Sequence, residues 1–172
     1  MRTRIALCLA VASLVGALLT VPAAGRTTKC TVRGTKQNDT LMGTDKHDVI
    51  CGYGGADILV GRGGDDLLLG GGGNDFLDGG YGNDVLHGGG GADNFLDARG
   101  RDRNYGERGN DNCLSGADGH GGDYLNGGPG SDHYNSDGTD TRTNMEAWSD
   151  VEFCPASPIG GGGPGGGNGN PH

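Results

Sequence analysis

Residues 70–89 read GGGGNDFLDGGYGNDVLHGG. Nearly half of this stretch is glycine, a composition that favours disorder. Yet Asp75 and Asp84 stand nine residues apart, and so do Leu77 and Leu86. A disordered linker has no reason to hold that register. The same period continues in both directions. From Gly34 the chain divides into nine consecutive blocks of nine, GTKQNDTLM, GTDKHDVIC, GYGGADILV, GRGGDDLLL, GGGGNDFLD, GGYGNDVLH, GGGGADNFL, DARGRDRNY and GERGNDNCL. Three extra residues, Ser115-Gly116-Ala117, precede two further blocks, DGHGGDYLN and GGPGSDHYN.

Three positions stay in phase. Position six is aspartate in all eleven blocks: Asp39, Asp48, Asp57, Asp66, Asp75, Asp84, Asp93, Asp102, Asp111, Asp123 and Asp132. Position eight is large and apolar (Leu41, Ile50, Leu59, Leu68, Leu77, Leu86, Phe95, Leu125, Tyr134) except at Asn104 and Cys113. Position four is glycine from Gly55 onward, with Gln37 and Lys46 in the first two blocks. Glycine accepts positive φ without steric cost, so the first six positions suit a turn. The last three suit a very short strand whose middle side chain faces opposite to its neighbours. Leu77 is then expected inward, with Phe76 and Asp78 outward.

The pattern resembles the RTX, or haemolysin-type, calcium-binding nonapeptide GGxGxDxUx, where U is large and apolar. The resemblance covers residues 34–135. It implies an all-β fold, a right-handed parallel β-roll (solenoid) of about eleven nonapeptide repeats, with two repeats to each turn. Repeats of equal parity then stack, placing Asp57, Asp75 and Asp93 along one edge and Asp66 and Asp84 along the other. Calcium takes six to eight oxygens from carboxylates and carbonyls. Glycine turns expose carbonyls and position six adds carboxylates, so all eleven aspartates are candidate ligands for several Ca2+ ions. The repeats of Asp57 to Asp93 carry the fullest glycine pattern. In DARGRDRNY, Asp97 replaces the first glycine, Asn104 breaks the apolar column, and Arg101 and Arg103 read as outward, solvated charges. Ser115-Gly116-Ala117 is expected to bulge as a loop.

The flanks are different in kind. Arg2 and Arg4 precede an apolar run from Ile5 to Val21, and small residues at Ala23 and Gly25 offer cleavage points. Residues 1–25 read as a secretory signal peptide, so the protein is expected to be secreted and extracellular, with no membrane span after cleavage. That leader holds two arginines and no acid, so its removal takes the formal charge from −9 to −11. So acidic a chain argues against nucleic acid as a partner. Residues 26–33 form an N-terminal lead-in segment. Residues 136–154 break the rhythm and carry Met145, Trp148, Val151 and Phe153, which suits a small C-terminal cap over an open coil end. Residues 155–172 are a flexible Gly/Pro-rich tail.

Cys30, Cys51, Cys113 and Cys154 remain after cleavage, an even number that suits two disulfides in an exported protein. No CxxC or clustered Cys/His spacing supports zinc. In a coil with two repeats per turn, Cys51 and Cys113 are separated by roughly 17 Å at about 4.8 Å per turn. A disulfide needs Cα atoms within about 7 Å. Cys30 precedes the first repeat, so Cys30–Cys113 is excluded more strongly, and the pairing left is Cys30–Cys51 with Cys113–Cys154.

No HExxH or GxSxG occurs, and the five histidines are scattered over the repeats and tail, so no enzyme activity is expected. The reading is a monomeric, secreted calcium-binding protein whose β-roll folds on binding Ca2+. The alternative is a calcium-stabilised extracellular adhesion or scaffolding module for a cell-surface polymer or partner. Position seven, which runs Thr40, Val49, Ile58, Leu67, Phe76, Val85 on the outside, would be its surface. The N-terminal leader departs from the familiar RTX exoproteins, so type I secretion and toxin activity do not carry over.

Overall fold

The computed structural model describes residues 29–96, 99–112, 114–116, 122–136 and 139–147. The segments read as a signal peptide and as a tail, with Cys113, Trp148 and Cys154, lie outside them. No helix occurs among these residues, and none is long and apolar enough to cross a membrane. The strands, in chain order, are β1 (Val32–Arg33), β2 (Thr40–Met42), β3 (Val49–Gly54), β4 (Ile58–Val60), β5 (Leu67–Gly72), β6 (Phe76–Asp78) and β7 (Val85–Gly90). They continue as β8 (Asn94–Leu96), β9 (Arg103–Arg108), β10 (Leu114–Gly116), β11 (Tyr124–Asn126), β12 (His133–Ser136), β13 (Thr141–Thr143) and β14 (Glu146–Ala147).

Every pairing is parallel, and odd-numbered strands pair only with odd-numbered ones. One sheet runs β1-β3-β5-β7-β9-β11-β13. The even strands form β2-β4-β6-β8 and β10-β12-β14, with Asn94 bridging to Asn112 between them. The register is eighteen residues, as in Leu41↔Leu59↔Leu77↔Phe95. Two nonapeptides therefore make one turn, and the fold is a parallel β-solenoid.

Position eight fills the space between the sheets. Leu59, Leu68, Leu77 and Leu86 are fully buried, Leu41, Ile50, Phe95 and Leu125 join them, and Val32, Tyr134 and Met145 pack against the ends. Phe76 and Asp78 flank Leu77 on the outside, half-buried. A core one side chain wide follows from a repeat that allots one large apolar residue to nine.

Four departures from the sequence reading are informative. The lead-in segment supplies a strand of its own: β1 pairs with β3. The Cys30–Cys51 bond expected from the spacing of the coil is formed. The alternate strands β3, β5, β7 and β9 run six residues instead of three, because the first three loop residues of the next repeat also pair, as at Tyr53↔Gly71. Ser115 and Gly116 are not a bulge. They lie in β10, where Leu114 stands opposite Tyr134, the position-eight residue of the last block. Finally, Asn104 does not disturb the coil: it is fully buried in regular register between Leu86 and Leu125. At the C-terminal end, residues within the segment read as a cap form further rungs, β13 on β11 and β14 on β12. The edge strand β13, Thr-Arg-Thr, is exposed throughout, a polar finish that leaves little apolar edge to aggregate.

Candidate metal sites between stacked turns

The aspartates of position six form two columns, one along each edge of the coil. In each column the backbone N–H of one aspartate donates to Oδ1 of the aspartate one turn on. Along one edge Asp39 donates to Asp57, Asp57 to Asp75 and Asp75 to Asp93 (2.8 Å each), then Asp93 to Asp111 and Asp111 to Asp132. Along the other, Asp48 donates to Asp66, Asp66 to Asp84, Asp84 to Asp102 and Asp102 to Asp123. The interval stretches from eighteen to twenty-one residues where the insertion falls. From Asp48 to Asp132 all ten are buried.

Oδ1 is thus committed to the ladder. The second oxygen is not: Oδ2 of Asp57, Asp66, Asp75, Asp84, Asp93, Asp111 and Asp132 is buried with no hydrogen-bond partner. An unpaired buried polar atom costs roughly 1–3 kcal/mol, and more when charged. A file of such atoms in one orientation calls for a cation. Those of Asp57, Asp66, Asp75, Asp111 and Asp132 lie beneath the first glycine of their own repeats, where a backbone carbonyl of the next turn also approaches. A Cβ placed on Gly52 would fall 2.4 Å from Asp57 Oδ2 and 2.5 Å from the carbonyl oxygen of Gly70. On Gly61 it would fall 2.4 Å from both Asp66 Oδ2 and the Gly79 carbonyl. Positions two and four carry positive φ through these repeats, at Gly71, Gly73, Gly80, Gly82, Gly89 and Gly91. Even Tyr53, Arg62 and Glu107 at position two adopt it, with φ of 74°, 80° and 71°. Side chains other than glycine rarely accept this conformation, and such strain concentrates at functional sites.

The electrostatics agree. Burial, above all, pushes the carboxyls of Asp75, Asp84 and Asp111 up to about 6 and that of Asp93 up to about 7. At Asp93 the charges of Asp111, Asp75 and Glu107 add to the effect. Among the described residues no three His, Cys, Asp or Glu side chains converge on one point. The donors at each site would be one or two carboxylates and several backbone carbonyls. That all-oxygen set suits calcium and not zinc.

The RTX calcium-binding nonapeptide repeat family matches residues 33–68, 60–95 and 69–103. Residues 33–103 thus carry RTX calcium-binding nonapeptide repeats. The chain is also similar, at 31% identity, to the solution structure of the AlgE6R3 subunit from the Azotobacter vinelandii mannuronan C5-epimerase. That likeness has a TM-score of 0.19 and spans 49% of this chain and 51% of the other. No curated protein matches the chain in sequence.

The structure brings all eleven sequence-predicted aspartates of the RTX coil into the two columns. Asp39 and Asp48 differ from those seven, because their Oδ2 atoms already have partners. Thr35 donates to Asp39 Oδ2 through its N–H (2.6 Å) and its hydroxyl (2.8 Å), and Thr44 does the same for Asp48 (2.7 and 2.8 Å). Those hydrogen bonds hold the Asp48 carboxyl below the usual carboxylate range, whereas burial raises Asp57 and Asp66. Asp140 escapes the sequence reading altogether. Its Oδ1 accepts from the N–H groups of Gly122 and Asp123, and its Oδ2 is buried and unpartnered. No template would find it, since it follows Asp123 by seventeen residues and Arg142 holds its position eight. A second ladder, at position five, also escapes. Asn38, Asn74 and Asn110 accept from the N–H of Ala56, Ala92 and Ser131. The recurrence of asparagine at this position every fourth repeat, at Asn38, Asn74 and Asn110, was its visible signal.

Proposed function

We propose that this RTX coil is an exported calcium-ion-binding protein whose β-roll folds on binding several Ca2+ ions between stacked turns. The observation that carries the reading is the file of buried, unpartnered Oδ2 atoms along each edge. Asp57, Asp75, Asp93, Asp111 and Asp132 would hold ions on one side, and Asp66 and Asp84 on the other, with loop carbonyls completing each shell. A bound ion supplies the positive charge that this column of like charges lacks, and it stabilises the folded form by mass action. The core is one side chain wide and the chain is rich in glycine, whose ordering costs the most entropy. The metal-free chain is therefore expected to be mostly unfolded. A signal peptide at residues 1–25 and the Cys30–Cys51 bond support export, since disulfides persist in oxidising compartments. Extracellular calcium modules bind at about 10⁻⁴–10⁻³ M, so the coil would stay unfolded at low calcium and order outside the cell.

Circular dichroism of the mature protein tests this. EDTA should abolish most of the strand signal and millimolar calcium should restore it. A spectrum and melting curve indifferent to chelation would remove the proposal.

A further inference from the structure

The first two loops of the coil are closed by their own side chains. Thr35 and Thr44 occupy position two, where later repeats carry Tyr53, Arg62, Gly71, Gly80, Gly89, Glu107 and Gly128 in the positive-φ conformation. Neither threonine adopts it. A β-branched residue is a genuine outlier at positive φ, so threonine holds the loop in its other form. In that form its N–H and hydroxyl both reach the aspartate Oδ2 left bare in most later repeats. Gln37 and Lys46 at position four are likewise absent from the positive-φ residues, where Gly55, Gly64 and Gly73 are present. Two donors per carboxylate thus stand where a cation would.

We propose that Thr35 and Thr44 are specificity-determining residues that exclude calcium from the loops of Asp39 and Asp48. Loading then begins at the third and fourth repeats, with Asp57 and Asp66. The first turn is a metal-independent end, held by threonine donors and by the Cys30–Cys51 bond, onto which calcium-dependent turns stack. This rests on the proposed calcium reading and adds to it a rule legible in sequence: a β-branched residue at position two marks a loop that takes no ion.

Calorimetric titration of the full mature chain with Ca2+ counts the ions per chain. Asp48→Asn should leave the count unchanged, whereas Asp66→Asn should lower it by one or more. In the opposite direction, replacing Thr44 and Lys46 together by glycine should raise the count by one. Terbium luminescence, excited through the tyrosines, should gain intensity in that variant. A drop in the count with Asp48→Asn, or no added ion with the double glycine variant in a protein that still folds with calcium, overturns the proposal. If the unaltered protein binds no calcium, the reading of the whole coil fails with it, and that outcome is distinct from either of these.

Discussion

At the scale of single residues, the clearest consequence is that glycines of the same loop do different work. Gly70 sits over the carboxylate: a Cβ there would lie 2.5 Å from Asp75 Oδ2 and 2.6 Å from the Gly88 carbonyl oxygen. Both are closer than real contacts allow, and the carbonyl is backbone. Two residues on, Gly72 has nothing within 4 Å of the same position and no positive φ. Gly70→Ala should therefore cost ~1–3 kcal/mol or more in the calcium-loaded form and weaken calcium binding. Gly72→Ala should be neutral or stabilise by ~0.4–1 kcal/mol, because it restricts the unfolded chain. Thermal melts of both variants at saturating calcium would check the contrast; equal effects would mean that the glycines serve flexibility alone.

At the scale of elements, the coil is held at its start by covalent means. β1 adds only two residues to the sheet, pairing Val32 with Ile50 and Arg33 with Cys51. So short a strand is a weak rung, and the Cys30–Cys51 bond, with Cα atoms 6.0 Å apart and a sequence separation of 21, fastens it. Changing both cysteines to serine should lower stability by roughly 2–4 kcal/mol. The loss should show as a lower Tm in calcium, with the number of bound ions unaltered. An unchanged Tm would mean that β1 contributes nothing to the cooperative unit. The second pairing expected from the sequence, Cys113–Cys154, lies outside the described residues, and non-reducing peptide mapping addresses it.

At the scale of the whole molecule, protons and calcium compete for the same carboxylates, and the two forms should respond to pH in opposite senses. In the metal-free coil Asp75, Asp84 and Asp111 titrate at about 6 and Asp93 at about 7, above the ordinary value of 3.8. Ionising them costs the folded form more than the unfolded one. The stability they contribute is complete below the ordinary value and is lost as pH rises through the folded values. In EDTA, strand signal should therefore be greater near pH 4.5 than at pH 8. With calcium the ligands must be ionised, so the signal should persist at pH 8 and the affinity should fall as pH drops through about 6–7. Circular dichroism at both pH values, with and without chelator, gives a four-way comparison. A metal-free chain equally unfolded at both pH values would show that the carboxylate columns do not control its stability.

The sequence by itself determined the period, the inward column from Leu41 to Phe95 and the two edges of aspartates. All three follow from a strict nine-residue repeat once two repeats make a turn, because each residue then meets its counterpart eighteen positions away. Tertiary structure decided what that periodicity leaves open. Only the folded loop reveals that Asp39 and Asp48 are satisfied by Thr35 and Thr44 of their own repeats, while Oδ2 of Asp57 or Asp75 is not. Only the neighbouring turn recruits β1 and Asp140, which lack a full repeat, and only it aligns Leu114 with Tyr134. Each depends on which donor, acceptor or strand the loop or the adjacent turn presents, and a nine-residue pattern read along the chain carries no information about a partner that folding alone brings near.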